Sequence, residues 1–261
     1  MRTPAPITTT DLLKFAGLAF VFADHIGLFF APDADWWRVV GRVAAPIFFF
    51  LIGFARGGAV PWIWLALGSI LTALDMYVSD GLEDVTLNIL FNFALIRLAL
   101  PHIEKYVLPR VWGFAALALF CAAMIPLAGL VLEYGAEGWL WALFGVAARE
   151  AIAKATPAAR LQRNFVGLFC AMVYVVVEMR DFEFELNKAA ALVALIAVLA
   201  ITLAAFRRAN ASLQAPAPVA RAFNWIGRRS LEIYAVSLFM MQLTEHMMDF
   251  GGHDDDDAGA T

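Results

Sequence analysis

The sequence predicts an all-α, polytopic integral membrane protein of about nine spans, with a range of eight to ten. Three observations predict it. Of 261 residues, 62% are hydrophobic and 16% charged, against about 25% charged in ordinary soluble domains. Apolar runs of the ~17 to 25 residues that cross ~30 Å of hydrocarbon as a helix recur along the whole chain. Basic residues also segregate: alternating sides at each run puts fifteen of the nineteen Lys and Arg residues on one face. Only Arg38, Arg42, Arg180 and Lys188 fall on the other. Excess Lys and Arg marks cytoplasmic loops, so the N-terminus is expected inside and the C-terminus outside.

Taken in order, the nine runs centre near Phe20, Phe50, Gly68, Phe93, Leu119, Phe144, Met172, Leu195 and Phe239. The first, "DLLKFAGLAFVFADHIGLFF", carries Asp24 and His25 near its outer end. The second, "GRVAAPIFFFLIGFARGG", opens on Arg42 and contains Pro46 and several glycines, which allow bending and close helix approach. The third carries Asp75. The fourth places Asn88 and Asn92 at i, i+4 and ends near Arg97. The sixth follows the turn "LEYGAEG", in which Glu133 and Tyr134 read as parts of a solvated outer loop, and it closes on Arg149 and Glu150. The inner connection from Arg207 to Arg229 reads as a flexible linker with an amphipathic end. In the last run Glu232 stands four residues after Arg228, a spacing that pairs charges on a helix. Residues 1–250 are read as one transmembrane domain and 251–261 as a disordered acidic tail.

Cys121 and Cys170 lie inside apolar runs, as small core residues do. The net charge of −4 and the absence of aromatic-laced basic stripes argue against nucleic acid as a partner. The sequence contains no metal-ligand spacing, phosphate loop or dinucleotide fingerprint, and no metal is expected. The methionines of the last run read as packing.

Ionisable groups at membrane depth are costly unless paired or set in a wet cavity, and so mark function. Lys14 and His25 are eleven residues apart, about three turns, which puts them on one helix face some ~16 Å from each other. That axis suits an extended ligand, its anionic end near Lys14 and its reactive end near His25. A histidine with an ordinary pKa near 6.5 has the chemistry of a general base. A structural histidine held between helices is the competing reading. Asp24, the adjacent helical residue, faces elsewhere and is expected to pair with a cation on a neighbouring helix, Arg42 first. For Arg42 itself, structural pairing and direct ligand contact stay open. Asn88 is read either as an interhelical hydrogen-bonder or as a cavity wall.

These segments resemble the TraX family. "DLLKFAGLAFVFADHIG" is similar to the family's first helix, which ends in a D-H-I-G-type motif, and "GRVAAPIFFFLIGFARG" is similar to its second. "LNILFNFAL" and "LEYGAEGWLWALF" are similar to two further patches. "GRRSLEIYAVSL" looks like the closing helix of the wider transmembrane acyltransferase superfamily. The resemblance implies an inner-membrane enzyme that moves an acetyl or acyl group from cytoplasmic acyl-CoA to an envelope acceptor, either a pilin N-terminal amine or a glycan hydroxyl. It implies His25 as catalytic base supported by Asp24, and Lys14, Arg42, Asn88, Arg97 and Arg149 as residues that hold acetyl-CoA. Relatives carry Arg where Lys14 stands, so that the lysine keeps the charge and loses bidentate phosphate geometry, and often His where Ser237 stands. Membrane lipids are expected around the chain, with a homo-oligomer or a membrane complex as a further partner. The alternative is a non-catalytic membrane subunit or scaffold of a larger envelope complex; a transporter is a weaker third reading.

Overall fold

A computed structural model describes residues 6–56, 58–79, 85–110, 112–210 and 216–257. Eleven helices are present among the described residues: α1 (Thr9–Phe29), α2 (Trp36–Gly41), α3 (Ala44–Phe54), α4 (Trp62–Val78), α5 (Ile89–Tyr106), α6 (Gly113–Ala128), α7 (Gly135–Lys154), α8 (Pro157–Phe182), α9 (Leu186–Ala205), α10 (Ala217–Arg228) and α11 (Ser230–Asp257). Each of the nine expected centres falls inside a separate helix. Three helical segments, Thr9–Phe29, Trp36–Phe54 and Leu186–Ala205, are long and apolar enough to cross a membrane, and Trp62–Val78 and Gly113–Ala128 are shorter apolar helices. The protein is a membrane protein. Leu119, Phe120, Leu161, Leu168, Val176, Val198 and Ile201 are exposed along α6, α8 and α9, the placement that lipid-facing side chains take.

Two helices come from breaks in expected runs. Pro46 lacks the N–H that would bond the carbonyl of Arg42, and a proline ring clashes with the carbonyl four residues back. The run therefore breaks at residues 42–43 into α2 and α3. The freed Arg42 carbonyl accepts the Tyr174 hydroxyl at 2.8 Å. The second break, at Arg229, separates α10 from α11. It puts Arg228 and Glu232 on different helices, so the expected i, i+4 relation does not hold between them. The amphipathic end of the inner connection is α10, which packs on α1 with the Phe15 and Phe223 rings 4.9 Å apart. Residues 211–215 of that connection, 80–84 of the acidic outer loop "SDGLED", and 258–261 of the acidic tail lie outside the described residues.

The core runs along α3 and α7. Every residue of α3 from Ala44 to Gly53 is buried, as is most of α7. Their crossing is close because glycines meet backbone: a Cβ on Gly53 would lie 1.8 Å from the Ala142 carbonyl, and one on Gly145 would lie 2.1 Å from that of Phe50. This is the small-residue contact by which membrane helices approach each other. Helix ends then divide into two sets. One holds the starts of α1 and α4 and the ends of α3, α5 and α7; the other holds the end of α1 and the starts of α2, α5 and α7. A cavity lies at each.

Candidate functional site

The first cavity, about 600 Å³, opens where α1 ends. Its wall carries seven acids, Asp24, Asp75, Glu133, Glu137, Glu178, Asp181 and Glu245, with two guanidiniums, Arg38 and Arg42, and His25. Asp24 and Arg42 form the expected pair, both carboxylate oxygens lying 2.5 Å from Arg42 Nη2. Close packing makes this contact possible, since a Cβ on Gly41 would lie 2.3 Å from Asp24 Cβ. Two partners were not foreseen. Arg38 reaches Asp24 at 3.1 Å, and Glu178 lies 3.6 Å from Arg42. Arg42, 6% exposed, is thus held between two carboxylates, and the Phe182 ring lies 4.7 Å from its guanidinium carbon.

His25 is buried beside this pair. Its ring lies 5.7 Å from that of Tyr234 and 6.1 Å from that of Phe29. Its Nδ1 has no hydrogen-bond partner, whereas a histidine kept for structure bonds a carbonyl or carboxylate. Asn88 caps α5, its Oδ1 accepting from Leu90 N–H, and its amide donates to Tyr234 Oη at 3.1 Å and Glu133 Oε2 at 3.3 Å.

The sequence reading missed Glu133, which is no solvated loop residue. The loop between α6 and α7 is folded over the site and fastened from two sides. Leu87 N–H donates to the Val131 carbonyl and Glu133 N–H to that of Leu87. Asn92 gives its amide protons to the carbonyls of Glu133 and Gly135 and accepts from Trp139 Nε1. Tyr134 holds the turn with a left-handed backbone, φ 56°, a conformation costly for an aromatic residue. Burial pushes the Glu133 carboxyl up to about 7, while the Ile89 N–H and the Arg42 charge oppose the rise. No local signal marks it, since Leu127, Leu130 and Val131 just before it are exposed.

The second cavity, about 680 Å³, lies at the other end. Lys14, Arg56, Arg97, Arg149, Arg208 and Arg228 line it, with Glu232 as the acid among them. Lys14 Nζ donates to the Gly227 carbonyl at 2.7 Å, Arg97 Nε donates to Ala59 O, and Arg149 pairs with Glu104 at 2.6 Å. The expected acetyl-CoA set is therefore divided: Lys14, Arg97 and Arg149 share this cavity, while Arg42 and Asn88 stand with Asp24 and His25 in the other. Ser237 bonds back to the Tyr234 carbonyl and is absent from the lining of both.

A constriction of about 40 Å³ lies between the two cavities. It shares Asp24, His25, Glu133 and Tyr134 with the acidic cavity, and Phe48 and Leu231 with the basic one. His25 thus sits where the two chambers approach each other. Among the described residues no cluster of His, Cys, Asp and Glu is suited to a metal ion.

A family model described as TraX protein matches residues 9–244. The chain is 31% identical over 137 residues to Protein TraX of Escherichia coli, which covers 50% of this chain and 52% of that one. It is 41% identical over 44 residues to an uncharacterized protein of Rickettsia prowazekii, covering 17% and 18% of the two chains. The matched region thus spans about half the length of the first relative and less of the second. No solved structure matches the chain.

Proposed function

The chain belongs to the TraX family, and on that premise we propose that it is a multi-pass acyltransferase of the bacterial inner membrane. It moves an acetyl group from cytoplasmic acetyl-CoA to an amine at the outer face, the pilin N-terminus being the acceptor that the family resemblance suggests. The observation that carries this reading is the pair of oppositely charged chambers, with His25 lining the acidic one and the small void between them. Six basic residues against one acid suit the phosphates of coenzyme A, with Lys14, Arg97 and Arg149 closest to the role expected of them. The pantetheine arm would run between Phe48 and Leu231, along the ~16 Å that separates Lys14 from His25 on α1, and the void of about 40 Å³ there widens to admit it. An excess of carboxylates around two guanidiniums favours a cationic acceptor over a neutral glycan hydroxyl.

In this reading the thioester carbonyl lies near His25, and His25 is the base as the amine attacks. The buried Asp24–Arg42–Glu178 group holds charge in place and keeps α1, α2 and α8 in register. The basic chamber faces the cytoplasm and the acidic one faces outward, which makes the N-terminus cytoplasmic.

The test is thermal unfolding of the detergent-purified chain with and without millimolar acetyl-CoA. A ligand at about 100 times its Kd stabilises by about 2.7 kcal/mol. A rise in Tm that shrinks in Lys14→Ala supports the donor chamber. No rise in the wild type contradicts the enzyme reading and leaves a non-catalytic membrane subunit.

A further inference from the structure

Acetylation of an amine releases more protons than one base handles at once. A protonated amine, R–NH₃⁺, must lose one proton before its nitrogen can attack and a second as the amide forms. The thiolate of coenzyme A takes one of the two, and the other leaves to solvent. His25 stands beside the constriction that leads to the donor chamber, well placed to pass a proton to sulfur. The first proton needs another acceptor.

Glu133 has the position for it. It lines the acidic cavity and the constriction together, as His25 does. Oε2 is committed, accepting from Ile89 N–H at 2.9 Å and from Asn88 Nδ2 at 3.3 Å. Among the described residues no hydrogen bond falls on Oε1. Asn88 also donates to Tyr234 Oη, and the Tyr234 ring lies against His25, so Glu133 and His25 belong to one contiguous assembly reaching from the α6–α7 loop to α1. The carboxyl is not left to drift, because Asn92 clamps the carbonyls on either side of Tyr134. Strain at Tyr134 and a fastened loop are what a positioned group requires, and a solvated loop needs neither.

The groups facing Glu133 are Asp24 on α1, Arg42 at the α2–α3 break, Asp75 on α4, its neighbour Tyr134, and Tyr234 on α11, with His25 across the constriction. Burial raises the carboxyl to about 7, the Ile89 N–H and Arg42 lower it, and Asp24 and Asp75 raise it again. An ordinary carboxylate near 4.3 is too weak a base for an ammonium at neutral pH. One that titrates near 7 is half ionised there and matched to the transfer.

We propose that Glu133 takes the first proton from the acceptor ammonium, and that His25 takes the second and delivers it to the departing thiolate. The bond formed joins the amine nitrogen to the acetyl carbon, and the bond broken is carbon to sulfur. One proton ends on coenzyme A, and the other leaves Glu133 for water through the acidic cavity. The inference rests on the amine reading above, since a hydroxyl acceptor has a single proton to lose.

The experiment follows acetyl transfer from acetyl-CoA to a short apolar peptide with a free α-amino group, measuring kcat against pH for the full chain in detergent. The wild type is expected to show an acidic limb inflecting near 7. Glu133→Gln is expected to lose about 100-fold in kcat at pH 7, the low end for a general base. It should also lose that inflection and recover as pH rises toward 9, where free amine comes from solution. Its stabilisation by acetyl-CoA should match the wild type, which certifies the fold. Glu133→Asp, which keeps a carboxylate, is expected to retain part of the rate and the inflection, and it carries the test where Glu133→Gln fails to fold. Wild-type kcat in Glu133→Gln at every pH overturns the assignment and leaves the enzyme reading standing. No acetylated peptide from the wild type overturns both.

Discussion

Asp24→Ala removes the acceptor side of a buried ion pair. Asp24 is 8% exposed and Arg42 6%, and both carboxylate oxygens bond Arg42 Nη2. Stranding one member of a buried pair costs about 3–5 kcal/mol. Here Arg42 keeps Glu178 at 3.6 Å, so the expected loss is near the low end, about 3 kcal/mol. Arg42→Met leaves Asp24 with Arg38 at 3.1 Å but takes the cation away from the buried Glu178, and the expected loss is about 3–5 kcal/mol. The double variant leaves neither charge stranded by the other. It should lose less than the two single losses together, by the 1–3 kcal/mol typical of coupled contacts. Equilibrium unfolding in mixed detergent micelles, followed by the fluorescence of the chain's eight tryptophans, measures all three. Losses that add within about 0.5 kcal/mol would show uncoupled residues and refute the argument that this pair fixes α2 against α1.

Two further outcomes follow from packing and from the loop. Gly53→Ala is expected to cost about 3 kcal/mol or more, because its Cβ would meet the Ala142 carbonyl at 1.8 Å, and overpacking against backbone has no flexible side chain to absorb it. Gly129→Ala, whose Cβ would meet Ile125 O at 3.3 Å, serves as the control and should stay within about 1 kcal/mol in the same unfolding assay. Asn92→Ala leaves the Glu133 and Gly135 carbonyls and Trp139 N–H without their partner, at about 1–3 kcal/mol each where no water replaces it. Its kcat for peptide acetylation should fall while stabilisation by acetyl-CoA persists, since the clamp stands at the acceptor side.

The helices were legible because apolar runs of membrane length are a local signal. Asp24 and Arg42 were legible together because a carboxylate and a guanidinium at similar depth on successive runs have few other partners. Pro46 was visible as a point of bending, but the freed carbonyl it creates meets Tyr174, 132 positions away in sequence, and spacing cannot show that. Glu133 was misread for the same reason. Its loop is drawn inward by Asn92 and Leu87, some forty residues earlier, and a turn motif alone looks solvated. That Lys14, Arg97 and Arg149 share one cavity while Arg42 and Asn88 line the other was not legible, because charge at membrane depth does not tell which end of a bundle a residue reaches. The break at Arg229 turned an apparent i, i+4 pair into two residues on separate helices. Its cue, the polar "GRRS" stretch before the last run, was read as the opening of one helix.

The most direct measurement reconstitutes the chain in sealed vesicles, adds acetyl-CoA carrying a radiolabelled acetyl group on one side only, and encloses the free-amine peptide on the other. Transfer across the bundle predicts labelled peptide from the wild type when acetyl-CoA meets the basic chamber, and none from His25→Ala. Label that reaches the peptide equally in His25→Ala, or never reaches it from either side, contradicts the account of two chambers with His25 at the small void between them.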